Sequence, residues 1–223
     1  MVLNGWAASE CAWDLCGFMK RPAPSGTMPE LFSYVDQLDG VPERRFADNG
    51  RFILVGWSMG GSSAMTLACR HPEQIAGLVL VAATPRMMED KTTGWQGMTP
   101  RRLDALRKGL ELTGGQGFFG APEDRPNPYM LDRPENLERG LEYLLKTDIR
   151  ADVEKLASGG FGFPVYVLQS ERDGIVRSSN ALWLKDVFAG AHMEMIEGSE
   201  HALPVSVPEM IDDAINTIIA SET

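Results

Sequence analysis

Two hydrophobic patterns alternate along the chain. In the first, apolar residues run almost without interruption: Phe52 to Trp57, Ile75 to Ala83, and Phe163 to Gln169. Short continuous runs rich in Val, Ile and Leu predict strands buried on both faces, as in a parallel sheet. His192 to Ile196 predicts a further strand. In the second pattern, apolar residues recur three and four apart, the period of a helix packed on one face. Ala64, Leu67 and Ala68 follow it, as do Ile211, Ala214, Ile215, Ile218 and Ile219 within a terminal helix over 207–220. Ser179 to Phe188 predicts a helix between the last two strands. Strands alternating with helices imply an α/β fold with a parallel sheet and right-handed crossovers. Nearer the start, Met1 to Leu3 is a short apolar stub, and Leu31 to Asp36 reads as a strand ending near Asp39-Gly40.

The alternation lapses over residues 86–150. These look helical in pieces, with Pro/Gly-rich breaks at 114–117 and 121–128. Leu137, Leu141, Leu144 and Leu145 have the spacing of an amphipathic helix. The expected organisation is a core formed by 1–85 and 151–223, with 86–150 inserted as a helical cap.

The sharpest local signal lies where the first pattern changes into the second. The strand ends in Gly56-Trp57-Ser58-Met59-Gly60, and small, helix-compatible residues follow. Gly-x-Ser-x-Gly between a strand and a helix predicts a nucleophile elbow, a strained turn that pushes the serine hydroxyl into a cleft. The helix N-terminus beneath Ser58 favours negative charge there. Arg70-His71-Pro72 stops that helix. An ordinary turn carrying a surface serine is the plainer alternative.

A serine hydroxyl attacks well only when a base takes its proton. Of three histidines, His71 sits at a helix end and His192 begins a predicted strand. His201 lies in the loop after the last strand, on the sheet edge where α/β proteins place their sites. His201 is the candidate base. An acid must orient it. Asp173, in the loop after the preceding strand, is the candidate, with Glu171 a close competitor. Oxyanion donors are expected at the backbone N–H of Met59 and, from the loop Asn4-Gly5-Trp6-Ala7, at that of Trp6. Trp6, Trp57, Phe118 and Phe161 are candidates for an acyl pocket, a place in the core being the alternative for the tryptophans.

Charge and cysteine usage narrow the class. The 223 residues carry a net charge of −10 with a pI near 4.8, which argues against nucleic acid as a general partner. Residues 86–150 hold 11 basic and 11 acidic residues, so the deficit lies wholly outside them. Cys11, Cys16 and Cys69 form neither a disulfide framework nor a metal-site spacing. Reduced thiols, a cytoplasmic location and no metal or cofactor are expected. No apolar run reaches membrane length, and the first residues lack a signal-peptide pattern.

With the order Ser58, Asp173, His201, the chain resembles the α/β-hydrolase superfamily over nearly its whole length. More narrowly it resembles the pimeloyl-[acyl-carrier-protein] methyl ester esterases of biotin synthesis. The carrying residues are Gly5-Trp6, Gly56 to Gly61, the stretch Leu141 to Arg150, Asp173 to Val176, and His201-Ala202. The resemblance implies a mostly parallel sheet with flanking helices and a cap, and a serine carboxylesterase that releases methanol from an acyl chain held on a carrier protein. It also implies that basic cap residues meet the acidic carrier, with Arg101, Arg102, Arg107, Arg139 and Arg150 as candidates. A short-chain esterase or thioesterase without a carrier, and a non-catalytic binding protein of the same fold, are the competing readings. Three departures stand out. Asn4 replaces the family's usual His, and the family's antiparallel lead-in strands are missing. The connection from Asp39 to Phe52 is short for a crossover helix, which predicts a looser sheet there or a more open site.

Overall fold

Each uninterrupted apolar run becomes a strand of one sheet. The computed structural model describes residues 1–47, 50–113, 132–198 and 200–222. Its strands are β1 (Val2–Leu3), β2 (Leu31–Phe32), β3 (Phe52–Trp57), β4 (Ile75–Val81), β5 (Val165–Ser170) and β6 (His192–Ile196). All neighbours pair in parallel, in the order β2-β1-β3-β4-β5-β6. The helices are α1 (Tyr34–Leu38), α2 (Met59–Arg70), α3 (Pro100–Thr113), α4 (Pro134–Lys146), α5 (Arg150–Gly159), α6 (Ser178–Val187), α7 (Leu203–Ser206) and α8 (Pro208–Ser221). None among the described residues is long and apolar enough to cross a membrane.

Alternate side chains of a strand point to opposite faces, so a strand buried on both sides feeds two cores. Leu78 and Leu80 of β4 enter one cluster with residues of α2 and α6, whereas Val79 and Val81 enter another with Ile211, Ile215 and Ile218 of α8. Leu103 and Leu106 of α3 and Leu141 and Leu144 of α4 join the second cluster. That is how the segment between β4 and β5 is fixed beside the C-terminal strand ends. Leu145, expected on the same face, is exposed, so the buried stripe of α4 is narrower than its leucines suggest.

The start of the chain departs most from expectation. Strand β2 stops at Phe32, and the predicted strand over Leu31 to Asp36 is replaced by α1. Ser33 accepts the Asp36 N–H while the Asp36 carboxylate accepts the Ser33 N–H. This reciprocal cap offers the backbone a helix start that outweighs the apolar run. The short connection to β3 thus carries α1 and a 3-10 segment at Pro42–Ala47. The sheet keeps its pairing there, with Val2 N–H bonded to Glu30 O and Asn4 N–H to Phe32 O.

Helix α2 lies unusually close to the sheet. A Cβ on Gly56 would stand 2.4 Å from the Gly60 carbonyl oxygen, and one on Gly60 would stand 2.0 Å from the Leu3 carbonyl oxygen. Only hydrogen fits at either place. That contact brings the N-terminus of α2 beneath the loops that follow β1 and β3.

Candidate active site

Ser58 occupies the turn between β3 and α2 with φ 55° and ψ −116°. A serine with positive φ is strained and persists only when its surroundings hold it. Here the Ser58 N–H donates to Val81 O at 2.9 Å, and Ser58 O accepts the Gly61 N–H at 2.9 Å. The loop after β6 brings His201 to it, with Nε2 2.9 Å from Ser58 Oγ. That loop is tied down by Trp57 Nε1–H donating to His201 O at 2.9 Å and by Ser170 Oγ–H donating to Glu200 O at 2.6 Å. The loop after β5 brings Asp173, whose Oδ2 lies 2.8 Å from His201 Nδ1. Asp173 Oδ1 accepts the N–H groups of Ile175 and Val176 at 2.7 and 3.1 Å. With the carboxylate accepting at Nδ1, that nitrogen carries the proton and Nε2 is left to accept from Ser58. All three side chains are buried.

Trp6 and Trp57 border a narrow cavity of about 20 Å³ beside Ser58 and His201, closed by Met87, Leu106, Leu144 and Ile175. Trp6 also touches the segment above it. Its Nε1–H donates to Leu137 O of α4 at 3.1 Å, and a Cβ on Gly140 would stand 2.5 Å from its ring. The more open site expected from the short Asp39–Phe52 connection is therefore not found. A larger groove of about 710 Å³, bordered by Trp95, Arg150, Glu154 and Trp183, contains none of Ser58, Asp173 and His201.

The backbone N–H groups of Trp6 and Met59 have no hydrogen-bond acceptor among the described residues. The loop bearing Trp6 is held by Asn4, which is fully buried. Its Nδ2 donates to Ala8 O and Ser9 O, and its Oδ1 accepts from Gly5 N–H and from Trp13 Nε1–H, all within 3.0 to 3.1 Å. Ala7, with φ 53°, completes the turn.

Several expected residues lie elsewhere. Phe161 packs with Phe163 and Phe188 in the cluster away from Ser58, because the strand it precedes delivers it to the opposite side of the sheet. Phe118 and the breaks at 114–117 and 121–128 lie outside the described residues. His71 stacks on Phe46, and the exposed His192 contacts Glu194. Glu171 is exposed while Asp173 meets the histidine. Among the arginines, Arg101 and Arg102 are exposed, Arg107 pairs with Glu138, and Arg139 pairs with Asp39. Arg150 donates to Asp148, Asp90 and Thr93 and lies over the Trp95 ring.

The cysteines are free thiols. Burial, with help from Asp212 and Glu209, pushes Cys16 up to about 12, and burial pushes Cys69 up to about 11, which leaves neither as a ready nucleophile. No group of His, Cys, Asp or Glu among the described residues could hold a metal ion. Sequence reasoning missed Gln169, which is buried beside Asp173. Its signal was a polar residue closing an otherwise apolar strand.

The profile of the hydrolase family described as Serine aminopeptidase, S33 matches residues 1–205. The chain belongs to this family of α/β-hydrolases. It is an enzyme of the hydrolase class. The pimeloyl-[acyl-carrier protein] methyl ester esterase of Nitrosomonas europaea is 25% identical, over 94% of this chain and 90% of its own. That of Nitrosospira multiformis is 26% identical over 70% of this chain and spans 64% of its own length, just under two thirds. Among solved structures, the esterase of Exiguobacterium antarcticum superposes with a TM-score of 0.72 at 18% identity, covering 98% of this chain and 90% of its own. The bromoperoxidase of Bacillus anthracis gives 0.68 at 16%, with the same coverage. Such neighbours share the fold.

Proposed function

We propose that the chain is a serine carboxylic ester hydrolase with Ser58 as nucleophile, His201 as base and then acid, and Asp173 as the orienting carboxylate. The observation that carries this is the unbroken chain Ser58 Oγ–His201–Asp173, with links of 2.9 and 2.8 Å inside a buried site. His201 Nε2 takes the hydroxyl proton as Ser58 attacks the ester carbonyl. The N–H groups of Trp6 and Met59 receive the developing oxyanion, a contribution of about 3 kcal/mol for each donor. The imidazolium then protonates the leaving alkoxide, and water repeats the sequence to free the acid and Ser58. Trp6, Trp57, Leu106 and Leu144 line the acyl site, and residues 86–150 act as the cap above it.

The relatives direct the choice of substrate to the methyl ester of a pimeloyl chain on acyl-carrier protein, in biotin synthesis. Apart from Ser58 and His201, the side chains around the cavity are apolar, which suits the methylene chain of such an acyl group. A second reading, a short-chain esterase needing no carrier, is favoured by one observation: Arg107, Arg139 and Arg150 are already paired with carboxylates of this chain. Arg101 and Arg102 remain the exposed candidates for an acidic carrier.

Two measurements test this. Hydrolysis of p-nitrophenyl acetate should vanish in Ser58→Ala. A rate equal to the parent's would mean that Ser58 is not the nucleophile. A kcat/KM for carrier-bound pimeloyl methyl ester well above that for the free ester supports the carrier reading, and equal values favour the second.

A further inference from the structure

We infer that Gln169 is a positioning residue that sets the basicity of the Asp173–His201 pair; this rests on the triad reading above. Gln169 is the penultimate residue of β5 and is fully buried. Its Nε2 faces three oxygens: Asp173 Oδ2 at 3.1 Å, Val176 O at 3.1 Å and Ser170 O at 3.2 Å. Rotating the amide by half a turn would point its oxygen at two carbonyls and a carboxylate, so the donor orientation is enforced. The oxygen end, Oε1, is buried without a partner among the described residues. A buried polar group satisfied at only one end is uncommon in a core and calls for a role.

Asp173 Oδ2 is shared by two donors, His201 Nδ1–H and Gln169 Nε2–H. The second donor draws electron density from the oxygen that stabilises the imidazolium. A carboxylate with an extra donor is a weaker base and holds the proton on His201 less strongly. Gln169 thereby tempers the pull of Asp173 on the proton that His201 takes from Ser58. It also fixes Oδ2 from behind, so that Nε2 stays aimed at Ser58. The other charged groups near the pair are Arg102 of α3, lying over Gly174, the exposed Glu171 and Arg172, and the half-buried Glu200.

The test is Gln169→Met, which keeps the volume and removes the donor. The pH profile of kcat/KM is measured with p-nitrophenyl acetate, and the His201 ring protons are titrated by NMR. Both midpoints should move up together by about half a unit to one unit, a loss of about three- to ten-fold in rate on the acidic side. If that variant does not fold, Gln169→Asn, whose shorter amide falls short of Asp173, should move both midpoints in the same direction. Midpoints that stay in place or move down in a folded variant overturn the inference. Asp173→Asn is run alongside. If it keeps full activity, the triad reading has failed. If it is inactive while the Gln169 variant is unmoved, only the role of Gln169 has failed.

Discussion

In the proposed mechanism Ser58 owes its reactivity to what surrounds it, and the nearest influences can be separated one side chain at a time. Asp173→Asn preserves size but offers an amide where His201 Nδ1 needs an acceptor. The imidazole is then held in the wrong tautomer, and kcat should fall by about four orders of magnitude with the fold intact. Steady-state kinetics with circular dichroism as the folding control would decide it; a near-normal kcat would place the acid elsewhere. Asn4 acts on the other side of the reacting carbon. All four of its side-chain hydrogen bonds stay within residues 4–13, around the loop that carries Trp6. Asn4→Ala takes the side-chain partner from the Trp13 indole N–H, the Gly5 N–H and the Ala8 carbonyl, and a buried orphan costs about 1–3 kcal/mol. Unfolding in urea should show that loss. If the loop positions an oxyanion donor, kcat should drop more than KM changes. An unchanged kcat in a destabilised protein would make Asn4 a purely structural residue.

Among the elements, legibility followed how locally each was determined. The β3–α2 turn could be read because strand, glycine spacing and helix start all lie within a dozen residues and point the same way. β4 and α8 could be read because their apolar patterns are long. The stretch Leu31 to Asp36 could not. Its apolar residues suit a strand, but Ser33 and Asp36 stand at capping-box spacing, and the local hydrogen bonds prevailed over the run. Gln169 and the arginine pairings were hidden for a different reason: Gln169 meets Asp173 and Val176 only through the turn that follows β5, and Arg107 and Arg139 meet Glu138 and Asp39 far along the chain, which no periodicity reveals. One such pairing makes a prediction. Asp148 is held down to about 2 by hydrogen bonds from Arg150, with burial opposing and Arg86 assisting. It links the start of α5 to the strand-like segment after β4. Because the folded value lies below the unfolded one, the stabilisation is complete above about pH 4 and is lost as pH falls toward about 2. Asp148→Asn should therefore lower stability by about 1 kcal/mol near neutrality, a modest value because the pair is partly solvent-screened. Near pH 2 the variant and the parent should unfold at the same urea concentration. A difference that persists there would trace to packing and not to charge.

For the molecule as a whole, the consequence concerns access. A cavity of about 20 Å³ has room for a water, whereas pockets for small ligands run from about 300 to 1,000 Å³. The closed arrangement cannot hold an acyl chain, so the proposed cap must shift for any long ester to reach Ser58. Besides the contact of the Tyr143 and Ser63 hydroxyls at 3.4 Å, three ties hold α4 and its approach to the core beneath it. They are Trp6 Nε1–H to Leu137 O, the Arg139–Asp39 pair on α1's flank, and the Tyr34 hydroxyl donating to Asp132 at 2.6 Å just before α4. Trp6 is needed for chemistry in the proposed mechanism, but the other two ties are not. Releasing both, in Tyr34→Phe/Arg139→Ala, should favour the open form without touching the triad. A closed state lowers apparent affinity by the fraction of molecules competent to bind, and loosening it restores that fraction. KM for p-nitrophenyl octanoate should then fall several-fold while that for the acetate, which needs less room, changes little. If both esters respond equally, or neither does, α4 is not the gate and entry lies along another edge of the sheet.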